Sequence, residues 1–293
     1  MLGQDVVETA RKAGFTIIAT DREVDITDSE AVAKIWRQHS EISWIINCAA
    51  WTAVDAAEEH RGEAHALNAL GPAVLARSAH EHGAAMIHIS TDYVFSGERA
   101  TPYRPSDVPA PACVYGKTKL DGERAVFDAC GHSIILRTAW LYGFGGTNFV
   151  YTMLRLMRER LKIRVVSDQY GLPTWTVDLA RVIVKIVQKV GTTDPWGVYH
   201  FTNAQDTGES KPGISWSDFA QAILDVGRDT DLLLRECSIE PIPTCEYPTA
   251  APRPTFSVLD STSTIDTFGV EQPYWRVSLT EFMRLISPHE SGS

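Results

Sequence analysis

The stretch Tyr115-Gly-Lys-Thr-Lys119 places a phenol and an ammonium group four residues apart. On a helix, this spacing brings the two side chains onto one face. A free tyrosine has a pKa near ~10 and is a poor acid or base at neutral pH, whereas a nearby cation favours the phenolate and lowers that pKa. The spacing therefore predicts a helix that carries a tyrosine activated by Lys119.

A hydroxyl group follows an apolar segment upstream of this helix. Ser90 and Thr91 come directly after Met86-Ile87-His88-Ile89, which has the composition of a buried strand, and we expect His88 to be a core or edge histidine. A hydroxyl residue at a strand end, followed by a helix with Tyr-x-x-x-Lys, resembles the catalytic layout of the short-chain dehydrogenases/reductases. The resemblance implies an α/β fold and a nicotinamide cofactor.

Composition limits the classes of function. With 293 residues, of which 44% are hydrophobic, the chain can bury a large core, as one α/β unit or two unequal domains. A net charge of −10 argues against nucleic acid or an anionic membrane as partner. No apolar run approaches the roughly 20 residues that span a bilayer, and no basic segment precedes an apolar one at the start. We therefore expect a cytoplasmic protein with reduced cysteines.

The first two thirds of the chain alternate short apolar runs with helical patterns, which is typical of parallel βαβ units. The predicted strands are Phe15–Ala19, Trp44–Ile46, Met86–Ile89 and Ser133–Leu136. The predicted helices are Asp5–Ala13, Ser29–Gln38, Glu63–His82 and Tyr115–Cys130. This order predicts a Rossmann-like doubly wound parallel sheet.

The pattern changes after Gly143–Gly146. Helices are predicted at Phe149–Arg160 and Val177–Val190, with Val165-Val166 as a short strand between them. Two helix starts are predicted from capping sequences, Thr27-x-x-Glu30 and Ser215-x-x-Asp218. We predict a dinucleotide-binding domain of residues 1–145 and about 172–200, and a smaller mixed α/β substrate domain of 146–171 and 201–293.

The front of the sequence lacks part of the expected pattern. A dinucleotide fold begins with a strand, a glycine-rich turn and a helix. Here Gly3 and a helix follow Met1 directly, so Gly3 resembles the last glycine of the fingerprint and about ten residues of strand and turn are absent. That strand lies mid-sheet, where its loss leaves backbone groups unpaired. We therefore expect a misplaced start codon or a truncation rather than a natural feature.

A carboxylate lies where the ribose of a dinucleotide is expected. Asp21 comes 18 positions after Gly3, close to the roughly 20-residue offset of a ribose-binding acid, although a solvated turn residue fits equally well. Arg22 could instead meet a 2′-phosphate, so NADH and NADPH both remain open. The predicted cofactor contacts are Gly3, Gln4, Asp21, Asp25, Ile26, Asn47, Ala49, Ala50, Thr52, Tyr115 and Lys119.

Several blocks resemble the dTDP-4-dehydrorhamnose reductase family, in order and spacing, over nearly the whole chain. They are Asn47–Asp55, Ser90–Phe95, Tyr115–Glu123, Arg137–Tyr142, Asp168–Thr174 and Tyr247–Pro254. The resemblance implies NAD(P)H-dependent reduction of the C4 ketone of dTDP-4-dehydro-6-deoxy-L-mannose to dTDP-L-rhamnose, for rhamnose-containing polysaccharides. It also implies that Tyr115 donates the proton, that Lys119 is its partner, and that Thr91 helps to set the pKa of Tyr115.

The resemblance extends to the substrate. It implies substrate contacts for Thr91, Asp92, Trp140 and Arg253, although Trp140 could instead pack between domains. The family often shows paired arginines where this chain has Pro252-Arg253, which leaves one cation for the diphosphate. Some members bind Mg²⁺ between subunits and form dimers. Glu8 resembles one such ligand, but the residues themselves predict no metal, and a homodimer stays open.

Three other functions compete with this reading. Sugar-nucleotide dehydratases place Asp-Glu after the threonine, whereas this chain has Thr91-Asp92-Tyr93, which disfavours dehydration. A non-catalytic regulatory subunit, of the kind that serves methionine adenosyltransferase, shares the scaffold. Intact Thr91, Tyr115 and Lys119 favour the enzyme. A reductase of another nucleotide-linked keto sugar remains open.

Overall fold

The computed structural model describes residues 1–190, 195–205, 211–233 and 236–290, without the side chains of 288–290. The strands are β1 (Trp44–Asn47), β2 (Ala85–Thr91), β3 (Ser133–Thr138), β4 (Leu141–Tyr142), β5 (Lys162–Val166), β6 (Tyr170–Gly171), β7 (Thr174–Trp175), β8 (Gly197–His200), β9 (Ile214–Ser215) and β10 (Ser238–Ile242). The helices are α1 (Leu2–Lys12), α2 (Ser29–Gln38), α3 (Ala56–Glu59), α4 (Arg61–His65), α5 (Gly71–Glu81), α6 (Val114–Ala129), α7 (Phe149–Glu159), α8 (Thr176–Lys189), α9 (Trp216–Asp229), α10 (Thr262–Phe268) and α11 (Trp275–Glu290).

A parallel sheet in the order β1-β2-β3-β8 forms the centre of the molecule. Alternate residues of its strands point to opposite faces. Ile87 and Ile134 pack with α1 and α8, whereas Met86 and Ile135 pack with α2, α5 and α6. Helices therefore cover both faces, and the predicted α/β fold with a parallel sheet is confirmed. The carboxyl ends of β1, β2 and β3 meet at one edge, where such folds bind ligands.

One predicted strand is absent. Residues 15–19 are not a strand: Phe15 donates its N–H to Ala10 O, and the segment pairs with no other strand in the described parts of the chain. A segment of residues with high β-propensity becomes a strand only when a neighbouring strand supplies the ladder of hydrogen bonds. The strands predicted at 44–46, 86–89 and 133–136 are confirmed, each a little longer than expected.

The helix predictions are confirmed with two corrections. The helix expected over Glu63–His82 is interrupted by a π-helical turn, Ala66–Leu70, between α4 and α5. The capping box expected at Thr27 is wrong, because Asp28 caps α2 by accepting the Glu30 N–H, while the Thr27 hydroxyl donates to Asp25. The second capping box, Ser215 with Asp218, is confirmed at the start of α9.

A separate aromatic core holds the C-terminal part together. It joins α7, α9 and α11 around the buried side chains of Trp175, Phe219, Trp275 and Phe282. The helix α8 packs on the sheet instead, as the predicted domain division requires, and that division stays a prediction. Among the residues described, no helix is both long and apolar enough to cross a membrane.

Candidate active site

The helix α6 carries the predicted Tyr-x-x-x-Lys pair. It begins after Cys113, whose Sγ accepts the Gly116 N–H at 3.4 Å. Tyr115 and Lys119 are both buried, as is Glu123 one turn further along. The spacing of four thus turns all three side chains toward the protein interior, where α6 packs beside β2.

Thr91, the last residue of β2, meets Tyr115. The Thr91 side chain interacts with the Tyr115 hydroxyl, and Thr91 Oγ1 donates to Asp92 Oδ1 at 2.9 Å. Burial raises the pKa of Tyr115 above its ordinary value, the interaction with Thr91 lowers it in part, and the Asp92 carboxylate raises it further. The prediction that Lys119 lowers this pKa is therefore wrong for the chain without ligands, and Tyr115 is held as the neutral phenol.

The contacts of Lys119 explain that correction. Its Nζ donates to Ile89 O at 2.7 Å and lies 3.3 Å from His88 Nε2, so its charge is directed at β2. Burial lowers the pKa of Lys119 to about 8, with the Glu123 and Cys48 side chains opposing that shift. Burial also holds the pKa of His88 well below its ordinary value, and the Lys119 charge adds to this effect. His88 is therefore a neutral neighbour of Lys119 rather than a plain core residue.

Asn47 ends β1 and supports this arrangement from the next strand. Its Nδ2 lies 3.1 Å from His88 Nδ1, and its Oδ1 accepts the Ala49 N–H at 3.0 Å. The side chain of Asn47 is buried and shapes the loop, whereas Ala49 and Thr52 are exposed and Ala50 is half-buried at the same sheet edge. These three small residues leave the loop backbone open to a ligand.

Two of the predicted cofactor contacts, Gly3 and Gln4, lie at the start of α1. No side chain of the described residues caps α1, and Gly3 lies beside Cys48, so the amino end of α1 faces the loop after β1. The side chain of Gln4 lies beside Gly145.

The predicted adenosine contacts make other interactions. Asp25 accepts the N–H and hydroxyl of Thr27, and Ile26 packs against Gly71. Asp21 is exposed, and its backbone N–H donates to Glu23. The structure therefore does not bring Asp21, Asp25 and Ile26 together with Tyr115.

Asp92 is a buried carboxylate beside the hydroxyls predicted to be catalytic. Burial raises its pKa to about 6, and the hydrogen bond that its Oδ1 accepts from Thr91 lowers it in part. Its Oδ2 has no hydrogen-bond partner in the described residues. A buried acceptor without a partner is costly to the fold and is suited to a ligand hydroxyl.

Arg253 reaches this region from the C-terminal part. Its Nη2 donates to Asp55 Oδ2 at 2.6 Å, and its guanidinium lies 6.0 Å from the ring centroid of Tyr93. The Tyr93 ring meets the Tyr115 ring edge-on, with centroids 5.5 Å apart. The predicted diphosphate cation is thus separated from Tyr115 by a single aromatic ring.

Trp140 lies beyond β3 in a strained conformation, with a φ of 49°. Its indole stacks on Trp216 with centroids 3.5 Å apart, and Gly171 packs so closely that a Cβ there would fall 2.5 Å from the ring. A left-handed tryptophan persists only where its surroundings fix it. Trp140 is half-buried, so both packing and substrate contact remain compatible with its position.

Asn68 is a site-supporting residue that the sequence reading missed. It lies fully buried in the π-helical turn, where its Oδ1 accepts the Trp51 N–H and its Nδ2 donates to Trp51 O and Thr118 Oγ1. It therefore joins the loop after β1 to α6. An asparagine inside an otherwise apolar helical run is unfavourable without such contacts, and that is the signal that could have identified it.

A buried ion pair behind Lys119 was missed as well. The carboxylate of Glu123 accepts from Arg137 Nε at 2.8 Å, Arg137 Nη2 at 2.6 Å and Ser90 Oγ at 2.5 Å. These bonds fasten α6 to β2 and β3. Charge pairs buried this fully need complete hydrogen bonding, which this one has on the carboxylate side.

Known proteins were compared with this fold and site. The model of the RmlD substrate binding domain family matches residues 1–287. The chain belongs to this family. A dTDP-4-dehydrorhamnose reductase from Aggregatibacter actinomycetemcomitans is 41% identical over 268 residues, covering 90% of this chain and 88% of that protein. The resemblance drawn from the sequence is therefore confirmed.

Two solved structures of such reductases share the fold. The one from Clostridium acetobutylicum has a TM-score of 0.88 and 38% identity, covering 97% of this chain and 95% of its own. The one from Bacillus anthracis, in complex with NADP, has a TM-score of 0.86 and 35% identity, covering 96% and 94%.

Proposed function

We propose that this protein reduces the C4 ketone of dTDP-4-dehydro-6-deoxy-L-mannose with NADPH or NADH, giving dTDP-L-rhamnose for rhamnose-containing polysaccharides. The observation that carries the proposal is the buried phenol of Tyr115, which interacts with Thr91 at the end of β2 and is followed one turn later by Lys119. Membership of the RmlD family supports it, as does the NADP complex of a relative.

Tyr115 acts as the general acid. When bound, the reduced nicotinamide supplies a hydride to the carbonyl carbon, and negative charge develops on the oxygen. A donor about 3 Å from that oxygen stabilises the charge and supplies the proton. Because Tyr115 is held as a phenol, it has the proton to give. Thr91 is placed to hydrogen-bond the same oxygen.

Lys119 and the amino end of α1 hold the cofactor. Lys119, with a pKa of about 8, is charged at neutral pH and binds the nicotinamide ribose. The N–H groups of Leu2 and Gly3 lie in the first turn of α1 and lack intrahelical partners. Because no side chain of the described residues caps them, they can bind the pyrophosphate. Asp21 binds the adenosine ribose.

The remaining predicted residues contact other parts of the same bound dinucleotide. Asp25 and Ile26 flank the adenine, and Gln4 lies beside the pyrophosphate. The backbone that follows β1 approaches the dinucleotide closely because Asn47 orders it and because the residues there are small. They are Ala49, Ala50 and Thr52.

The sugar nucleotide meets residues from both parts of the chain. The unpartnered Oδ2 of Asp92 accepts a sugar hydroxyl, and Trp140 contacts the sugar or the thymine. Arg253 binds the diphosphate, where a guanidinium gives charge-assisted hydrogen bonds. Glu8 does not fit a metal site, because its carboxylate pairs with Lys12 and no cluster of three ligating side chains occurs in the described residues.

Turnover of the purified protein tests the proposal. NADPH and NADH are each supplied with dTDP-4-dehydro-6-deoxy-L-mannose, and in parallel with its C3,C5 diastereomer dTDP-4-dehydro-6-deoxy-D-glucose, while cofactor oxidation is followed and the product is identified by NMR. We expect dTDP-L-rhamnose from the L-sugar. Faster turnover of the D-sugar would reassign the substrate, and no oxidation with either sugar would reject the reductase.

A further inference from the structure

A single carboxylate fastens the C-terminal part to the loop after β1. Asp55 precedes α3, and its Oδ1 accepts the Ala251 N–H at 3.0 Å while its Oδ2 accepts from Arg253 Nη2 at 2.6 Å. The partners lie 196 and 198 positions along the chain from Asp55. One side chain therefore binds both the backbone and the cation of the same short segment.

The segment that Asp55 holds packs directly beneath the catalytic tyrosine. Ala251 is fully buried in an apolar cluster that includes Tyr115 and Cys113, with Tyr93 packed against it. A shift of this segment would therefore reach the wall of the active site as well as Arg253.

The guanidinium of Arg253 is restrained from several sides. Besides its bond to Asp55, its Nη1 donates to Ala251 O at 3.3 Å, and its Cζ lies over the Tyr93 ring, 6.0 Å from the ring centroid. An arginine has five N–H donors, so these bonds leave donors for an anion. A long side chain that is already ordered loses less conformational entropy when it binds.

We propose that Asp55 is a positioning residue that orders Arg253 to receive the diphosphate of the sugar nucleotide. The inference rests on the proposed function, in which Arg253 contacts that diphosphate. Asp55 touches no reacting atom. It acts through Arg253. Its substitution should therefore change the affinity for the nucleotide diphosphate and not the affinity for the cofactor.

A double-mutant cycle read by calorimetry tests this role. The four proteins are wild type, Asp55→Asn, Arg253→Ala and the double variant, each titrated with dTDP and with NADPH. We expect Arg253→Ala to weaken dTDP binding about 10- to 100-fold, as for a lost charge-assisted hydrogen bond. Asp55→Asn should weaken it about 3- to 10-fold, with NADPH affinity within about twofold of wild type. The double variant should match Arg253→Ala.

Asp121→Asn is the matched control. Its side chain is 45% exposed against 46% for Asp55, and it faces an arginine, Arg124, at 3.5 Å. It removes the same charge at equal exposure, so dTDP affinity should stay at the wild-type value. Half-exposed ion pairs contribute little to folding, so the Tm of Asp55→Asn should stay close to wild type. If it falls, Asp55→Glu, which keeps the charge but displaces it, replaces it in the cycle.

Three results would overturn the inference. They are an Asp55→Asn affinity for dTDP equal to wild type, a tighter affinity, and losses that multiply in the double variant. A wild-type protein that binds no dTDP would instead reject the proposed function, so the two failures are distinguishable.

Discussion

At the scale of single residues, burial decides the chemistry. Tyr115 and Lys119 are both removed from water, and burial shifts their pKa values in opposite directions, upward for the phenol and downward for the ammonium. The tyrosine therefore keeps its proton at neutral pH, as the proposed role of general acid requires. Lys119 remains a cation at neutral pH.

Tyr115→Phe should retain cofactor binding and lose at least about two orders of magnitude in turnover, as expected for removal of a general acid. Steady-state rates and NADPH titration measure the two effects. Tyr142→Phe is the control, because it removes a buried hydroxyl with no partner in the described residues, and its rate should stay near wild type. Near-wild-type turnover by Tyr115→Phe would remove the tyrosine from the mechanism.

Asp92→Asn should make the protein more stable and less active. A pKa raised from 3.8 to about 6 means that the folded state binds the proton more tightly than the unfolded chain. Ionisation of Asp92 therefore lowers the free energy of unfolding of the wild-type protein by up to about 3 kcal/mol at pH 7.

Denaturant unfolding of wild type and Asp92→Asn at several pH values tests whether the substitution raises the stability. The stability gained by the variant should be largest near pH 7 and shrink as the pH falls from about 6 toward 4, because wild type then regains its proton. Sugar-nucleotide affinity should fall as well. A variant less stable than wild type at pH 7 would contradict the cost assigned to this carboxylate.

At the scale of elements, two glycines let α6 approach its neighbours. A Cβ on Gly122 would lie 2.0 Å from Asn68 O in the π-helical turn, and one on Gly116 would lie 2.1 Å from Tyr93 O. Backbone therefore meets backbone at both places, and the position of Tyr115 and Lys119 depends on that contact.

Gly122→Ala should cost about 2 kcal/mol or more, since overpacking against backbone cannot be relieved by a rotamer change. It should also lower turnover by displacing α6. Gly62→Ala is the control: no atom lies within 4 Å of its would-be Cβ in α4, so stability should be unchanged or rise by up to about 1 kcal/mol. Thermal unfolding compares the two. Equal changes in Tm for the two variants would mean that α6 is not tightly packed against its neighbours at Gly122.

The sequence predicted what local spacing determines. Tyr115 and Lys119 on one helix, the hydroxyl of Thr91 at a strand end, and the capping box at Ser215 all follow from residues a few positions apart. The contact of Asn47 with His88 requires the register of β1 against β2, where these two residues are paired. The sequence alone does not supply that register.

The same limit explains the other missed features. The π-helical turn at Asn68 depends on Trp51 and Thr118, which lie 17 and 50 positions away. The bond between Asp55 and Arg253 joins residues that are 198 positions apart in the chain. Residues 15–19 have strand composition but no paired neighbour in the described residues, so composition alone predicted them wrongly.

At the scale of the whole molecule, the site is built where the C-terminal part meets the sheet edge. Arg253 approaches Tyr93 from one side, and Trp140 leaves β3 to stack on Trp216 of α9. In the proposed function, the sheet carries the acid and the cofactor contacts, while the C-terminal part carries the contacts to the sugar nucleotide.

Trp140→Ala should therefore weaken sugar-nucleotide binding more than cofactor binding. Calorimetric titration of dTDP-L-rhamnose and NADPH measures both. Trp216→Ala, which removes the stacking partner but leaves Trp140 in place, should show a smaller loss for the sugar nucleotide. Equal losses of both ligands in Trp140→Ala would assign Trp140 to packing alone.

Deuterium transfer tests the central claim most directly. The protein is incubated with dTDP-4-dehydro-6-deoxy-L-mannose and NADPH that carries deuterium at both positions of the nicotinamide C4, and the product is examined by proton NMR. The account predicts dTDP-L-rhamnose with deuterium at sugar C4 alone, formed at least about 100-fold more slowly by Tyr115→Phe. A product without deuterium at C4, or an unchanged sugar, would contradict it.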